Sequence, residues 1–179
     1  MKSEKTKKTR KFKGSTLAEL GPVVFVLFFM FVFPLINLGT IGLRYGLLAS
    51  AARDGAHAAA TSYTFEIGSP GKPAAINNTA SAVTEFVDRY SGITVTSIDV
   101  DILITDINTE TVTRSDGKLA NPANTQNNIY SLESIVTARL DPLIAFDMPF
   151  NGDIPGLTGP WTTTVRAKEY AENSQGLNQ

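Results

Sequence analysis

Twenty-four consecutive residues, Leu20 to Leu43, contain no charged side chain. No other feature limits the fold so strongly. As a helix rising about 1.5 Å per residue the run measures roughly 36 Å, enough to cross the hydrocarbon core of a bilayer. It exceeds the apolar core of a secretory signal, which runs to about 7–15 residues. Arg44 closes it. Pro22 and Pro34 each remove a backbone donor, and Gly39 and Gly42 weaken the helix further. Gly42 and Gly46 have the GxxxG spacing that lets a second helix approach closely.

Charge is distributed to match. Of the 179 residues, the first fourteen hold seven Lys or Arg against Glu4 alone. The remainder holds nine basic and sixteen acidic residues. A basic segment beside a long apolar run is the pattern that keeps a terminus cytoplasmic, and it explains the basic tail better than nucleic-acid binding does. With no cysteine, disulfides and thiolate metal sites are excluded. The boundaries are a basic leader over 1–14, a transmembrane and stalk helix over 15–63, and an extracytoplasmic domain over 64–179. Ala49-Ser50-Ala51 resembles a small-residue cleavage site. A secreted domain released near Ala51 therefore stays open as an alternative, as does an uncleaved single-pass envelope protein with a ligand- or partner-binding domain.

Beyond Arg44 the sequence YGLLASAARDGAHAAATSY stays helix-favouring. Leu47, Ala51 and Ala58 form a stripe for packing, with Arg53, Asp54 and His57 on the other side. A loop containing Gly68, Pro70, Gly71 and Pro73 follows, then a helix over Ala75–Tyr90 stopped by Gly92. The period then changes to two. Ile98, Val100, Ile102 and Ile104 alternate with Asp99, Asp101 and Leu103, predicting a strand with its acids in solvent. Further strands are expected near Thr111–Thr113, Ser134–Leu140 and Trp161–Lys168. The apolar residues between Pro142 and Pro160, Leu143, Ile144, Phe146, Met148 and Phe150, are expected to cover the sheet. The tail NSQGLNQ is expected to fray. The fold class is α+β: a long, partly transmembrane N-terminal helix, a second helix and an antiparallel sheet of three or four strands.

No catalytic residues, metal ligands or cofactor site emerge, and the chain does not read as an enzyme. His57 is the sole histidine, and Ser69–Pro73 lacks the spacing of a phosphate loop. Asp99, Asp101, Asp106 and Glu110 raise a calcium site, but no glycine stands at the required turn position.

Glu19 is the remaining oddity, a carboxylate at the mouth of an apolar helix, where charge is costly. It can stay in the interface with its head in water. Cleavage after Gly14 offers a second solution: Ser15 acquires a free amine, Glu19 becomes the fifth residue, and the two pair between neighbouring helices.

Lys13-Gly14-Ser15-Thr16-Leu17-Ala18-Glu19 followed by the apolar run resembles a type IV prepilin processing site. The longer stretch, with its Ala51-Ala52-Arg53 and Gly55-Ala56 block, is similar to the TadE-like minor pseudopilins of the tight-adherence (Flp) pilus system. WTTTVRAKEY resembles that family's closing strand, with Glu169 near its acidic end. The likeness is most specific over residues 11–61. It departs from classical type IV pilins in having Ser rather than Phe at the first mature position, and from Flp major pilins in Leu20 and in length.

The resemblance implies a pilin-like fold and a structural role in building an adhesive pilus. Cleavage between Gly14 and Ser15 by a membrane prepilin peptidase is implied, with Glu19 setting register against neighbours. The implied partners are that peptidase, other pseudopilins, the major pilin, the inner-membrane assembly machinery and membrane lipid. The implied location is the bacterial inner membrane, N-terminus cytoplasmic and domain outside, with the pilus or cell surface as a further destination.

Overall fold

A computed structural model of the chain describes residues 15–68, 71–145 and 154–179, with backbone alone for residues 15–19. Phe146, Met148 and Phe150, expected to cover the sheet, lie outside the described residues, as does Gly14. The fold is α+β. Helix α1 covers Ser15–Leu27, a π-helical segment Phe28–Val32, and α2 Phe33–Ala60. Then come α3 (Ala75–Val87), β1 (Ile93–Asp106), β2 (Val112–Asp116), β3 (Asn128–Leu140), β4 (Trp161–Tyr170) and a 3-10 turn at Ser174–Asn178. Contacts divide the chain into two units, residues 1–36 and 37–179.

The first unit owes its irregularity to Pro34. A proline cannot donate to the carbonyl four residues back. The backbone shifts just before it, and the Phe33 N–H donates to Phe28 O, a π-type bond. Helical structure therefore passes the proline instead of ending there.

In the second unit four antiparallel strands lie in the order β2-β1-β3-β4. β3 is central because it pairs along nearly its full length with both neighbours. On one sheet face Ile102, Leu132, Val136, Ala138 and Leu140 are buried, at the period-two spacing that a half-covered sheet requires. α2 and α3 supply the cover. Leu48, Ala51 and Ala52 join Val83 and Val87 over one end of this face, and Ala59, Phe65 and Ala75 join the other end. α3 stops at Val87, short of the expected Tyr90. A turn then leads to Gly92, whose φ of 78° suits glycine.

Three expectations need correction. Leu143 and Ile144 do not cover the sheet; both are exposed. The tail does not fray: the amide of Leu119 donates to Leu177 O at 2.8 Å, and that of Glu66 to Gln179 O at 2.8 Å. Leu177 is buried in the second part of the core. Beside Leu177, the carbonyls of Gly176, Leu177 and Gln179 accept from the amides of Phe65, Glu66 and Leu119, and the Asn173 and Gln175 side-chain amides donate to Tyr63 O and Ala123 O. Asp101 does not face solvent; it is buried on the sheet's outer face.

Candidate functional site

The described part of the first unit is a surface that wants apolar surroundings. Leu20, Val23 to Phe29, Met30 and Phe31 are all at least about half exposed, a pattern that a water-facing helix avoids. Phenylalanine rings follow one another along the axis, Phe25 tilted against Phe29 at 4.7 Å between centroids and Phe29 stacked on Phe33 at 6.1 Å. The helical run from Leu20 is long and apolar enough to cross a membrane. Ser15 opens α1 and Glu19 falls within it.

The glycines divide into two kinds. At Gly42 and Gly46 a β-carbon would meet nothing within 4 Å, and both positions are exposed. At Gly55 a β-carbon would lie 2.7 Å from Val83 Cγ2 and 2.9 Å from Ser134 Oγ. At Gly55 the backbone of α2 therefore lies in close contact with α3 and the sheet. Thr79 Oγ1 donates to Gly55 O at 3.1 Å across that crossing. The alanine block around it is buried: Ala51, Ala52, Ala56, Ala59 and Ala60 all face inward. Small side chains on this face allow the helix backbone to lie close to the sheet. Arg53, Asp54 and His57 face outward, as expected, and the His57 ring meets a Glu169 carboxylate oxygen of β4 at 2.9 Å. The inward leucine is Leu48, with Leu47 only partly buried.

Sequence reasoning missed two residues on α2. Asn37 stands inside the uncharged run and is fully buried. Its Nδ2 donates to Ile144 O at 2.8 Å and Leu157 O at 2.6 Å, and its Oδ1 accepts from the Ile144 amide at 3.1 Å. One side chain thus serves three backbone groups of the β3–β4 connection. A side-chain amide in an otherwise largely apolar run was the available signal. Arg44, read only as the end of that run, donates to Asp141 O at the end of β3.

The sheet's outer face carries charge. Arg114 Nη1 donates to Asp101 Oδ2 at 2.6 Å, and its Nη2 lies 2.5 Å from Glu133 Oε2. Arg166 Nη1 reaches the same Glu133 oxygen at 3.2 Å. Both acids are thus paired with guanidinium groups at strand positions that are buried. Of the four acids considered for calcium, the structure gathers only Asp99 and Asp101, with Asp116 of β2 as a third, their oxygens within 4.8 Å of one another. The Arg114 guanidinium already compensates Asp101. Asp106 belongs instead to the β1–β2 turn, accepting from the Asn108 and Thr109 amides at 2.8 and 3.0 Å. Glu110 occupies a left-handed turn position, φ 56°. A groove of about 460 Å³ beside the start of β1 is lined by Thr84, Val87, Asp88, Val95 and Ile98 among others. Among the described residues that line it Asp88 is the one titratable group.

No family model, no curated protein and no solved structure matches the chain.

Proposed function

We propose that this chain is a membrane-anchored assembly subunit, a TadE-like minor pseudopilin that serves in building an adhesive Flp-type pilus. The observation that carries the proposal is the exposed apolar side chains from Leu20 to Phe31, joined in one helical run to a helix whose alanine face is already used by its own domain. Such a helix has one end committed to the fold and one end left for lipid or for other helices. The prepilin-type arrangement Gly14-Ser15 with Glu19 supports the finer identity. On this reading a prepilin peptidase cuts after Gly14 at the inner membrane. Glu19 then pairs with a neighbour's new amine, and the open positions Gly42 and Gly46 receive another pilus helix. Other pseudopilins, the major pilin and the assembly machinery are the partners, and the role is structural rather than catalytic.

N-terminal sequencing of protein from cells with an active prepilin peptidase tests the reading. Ser15 is the expected first residue. Recovery of Met1 or Lys2 favours the uncleaved envelope protein instead, and Ala52 the secreted domain. Glu19→Ala is expected to leave cleavage intact and abolish pilus assembly; unchanged piliation removes the role given to that carboxylate.

A further inference from the structure

One end of the second unit gathers exposed apolar side chains beside α2. Around the Asn37–Tyr45 stretch of α2 the described parts of the β3–β4 connection, residues 141–145 and 154–160, meet the helix and carry exposed apolar side chains. Leu143 is 58% exposed, Ile144 44%, Ile154 42% and Trp161 37%. The Trp161 ring stacks on Tyr45 with centroids 5.9 Å apart. Gly156 is packed between Ile41 and the Trp161 β-carbon, each 3.9 Å from where its own β-carbon would be. Leu38 and Leu43 extend the exposed apolar surface along the helix itself.

We infer that this end is a membrane-interface collar: Leu143, Ile144, Ile154, Tyr45 and Trp161 enter the headgroup–acyl boundary of the bilayer in which the helix is anchored. The inference rests on the anchor reading above. Three observations select lipid as the occupant. First, the collar lies beside residues 37–43, the end of the uncharged run, where Leu38 and Leu43 are themselves exposed. Second, Asn37 satisfies the amide and carbonyl of Ile144 and the carbonyl of Leu157. In water those groups need no protein partner. Near hydrocarbon, irregular backbone is tolerated only when its polar groups are paired internally, and here they are paired directly behind the exposed Ile144. Third, Tyr and Trp concentrate at the membrane–water boundary, where an apolar ring with a polar tip is best accommodated. The nearest charged group on the helix, Arg44, turns to Asp141 O at the end of the sheet.

Trp161 is the sole tryptophan, so its emission reports on the collar alone. The full chain is reconstituted into phosphatidylcholine–phosphatidylglycerol vesicles whose acyl chains are brominated either near the headgroup or near the methyl end. The expected result is blue-shifted Trp161 emission, quenched more by the shallow bromines than by the deep ones. The double variant Leu143→Asp, Ile144→Asp changes only exposed side chains. It is expected to keep its circular dichroism and float with vesicles, yet lose the shallow quenching and shift to the red. Vesicle-bound chain whose Trp161 is unquenched at both depths overturns the collar while leaving the anchor intact. Blue-shifted, unquenched emission that varies with protein-to-lipid ratio overturns it in favour of contact between copies. Quenching unaltered in the double variant also overturns it. Failure of the chain to float at all overturns the anchor reading itself, and the collar with it.

Discussion

Gly46 and Gly55 stand on the same helix and present opposite problems to an added methyl group. At Gly46 there is open space, so Gly46→Ala collects only the gain in helix propensity, about 1 kcal/mol at most. At Gly55 the methyl meets Val83 Cγ2 at 2.7 Å. A β-branched neighbour has little rotameric freedom with which to yield. Overpacking, typically about 1–3 kcal/mol, then outweighs the propensity gain. Denaturant unfolding of the detergent-solubilised chain is expected to place Gly46→Ala at or above the wild type and Gly55→Ala below it. Equal midpoints for the two variants refute this account of the crossing. Nothing in the sequence separates these glycines, because the difference lies in Val83, Thr79 and Ser134, which are distant along the chain. Asp101 has the same lesson. Alternation assigns it to the correct face of the strand, but its burial there comes with the Arg114 guanidinium of β2, which is distant along the chain.

Among the elements, the strongly periodic ones were legible and the polar ones were not. α3 and the second half of β1 follow from spacing alone. The first half of β1 hides because Thr94, Thr96 and Ser97 break the apolar alternation, and the register slips between Val95 and Ser97. β3 is likewise longer than expected, beginning at Asn128, since Ser131 and Glu133 interrupt its apolar pattern. The β1–β2 turn allows a prediction by pH. Hydrogen bonds from Thr109 and then Asn108 hold the Asp106 carboxyl below its ordinary pKa. A carboxylate lowered in the folded state contributes stability above its unfolded pKa, and loses that contribution as pH falls through the lowered folded value. The gap in unfolding midpoint between wild type and Asp106→Ala is therefore expected at neutral pH and should close in strong acid. A gap that persists unchanged below the carboxylate range would mean that charge is not what holds this turn.

At the scale of the whole molecule, the class of fold and the long apolar helix were legible. The docking of the C-terminal segment was not, because NSQGLNQ carries a single large apolar residue. Its position depends instead on Gly176, where any β-carbon would collide with Tyr63 O. Gly176→Ala is expected to lift the segment. Hydrogen exchange would then quicken at the amides of Phe65, Glu66 and Leu119, which the tail now receives, while those of central β3 stay protected. Unaltered exchange at Phe65 would show that the segment can shift without releasing its bonds. The strand order has a consequence for the timing of synthesis. α2 is made first, but the strands on which its alanine face rests, β3 and β4, leave the ribosome last. Until they do, Ala51 and Ala52 lack the sheet residues they pack with, and closing so long a stretch of chain is slow. The chain would therefore wait half-folded during that interval, which is when a chaperone or protease would encounter it.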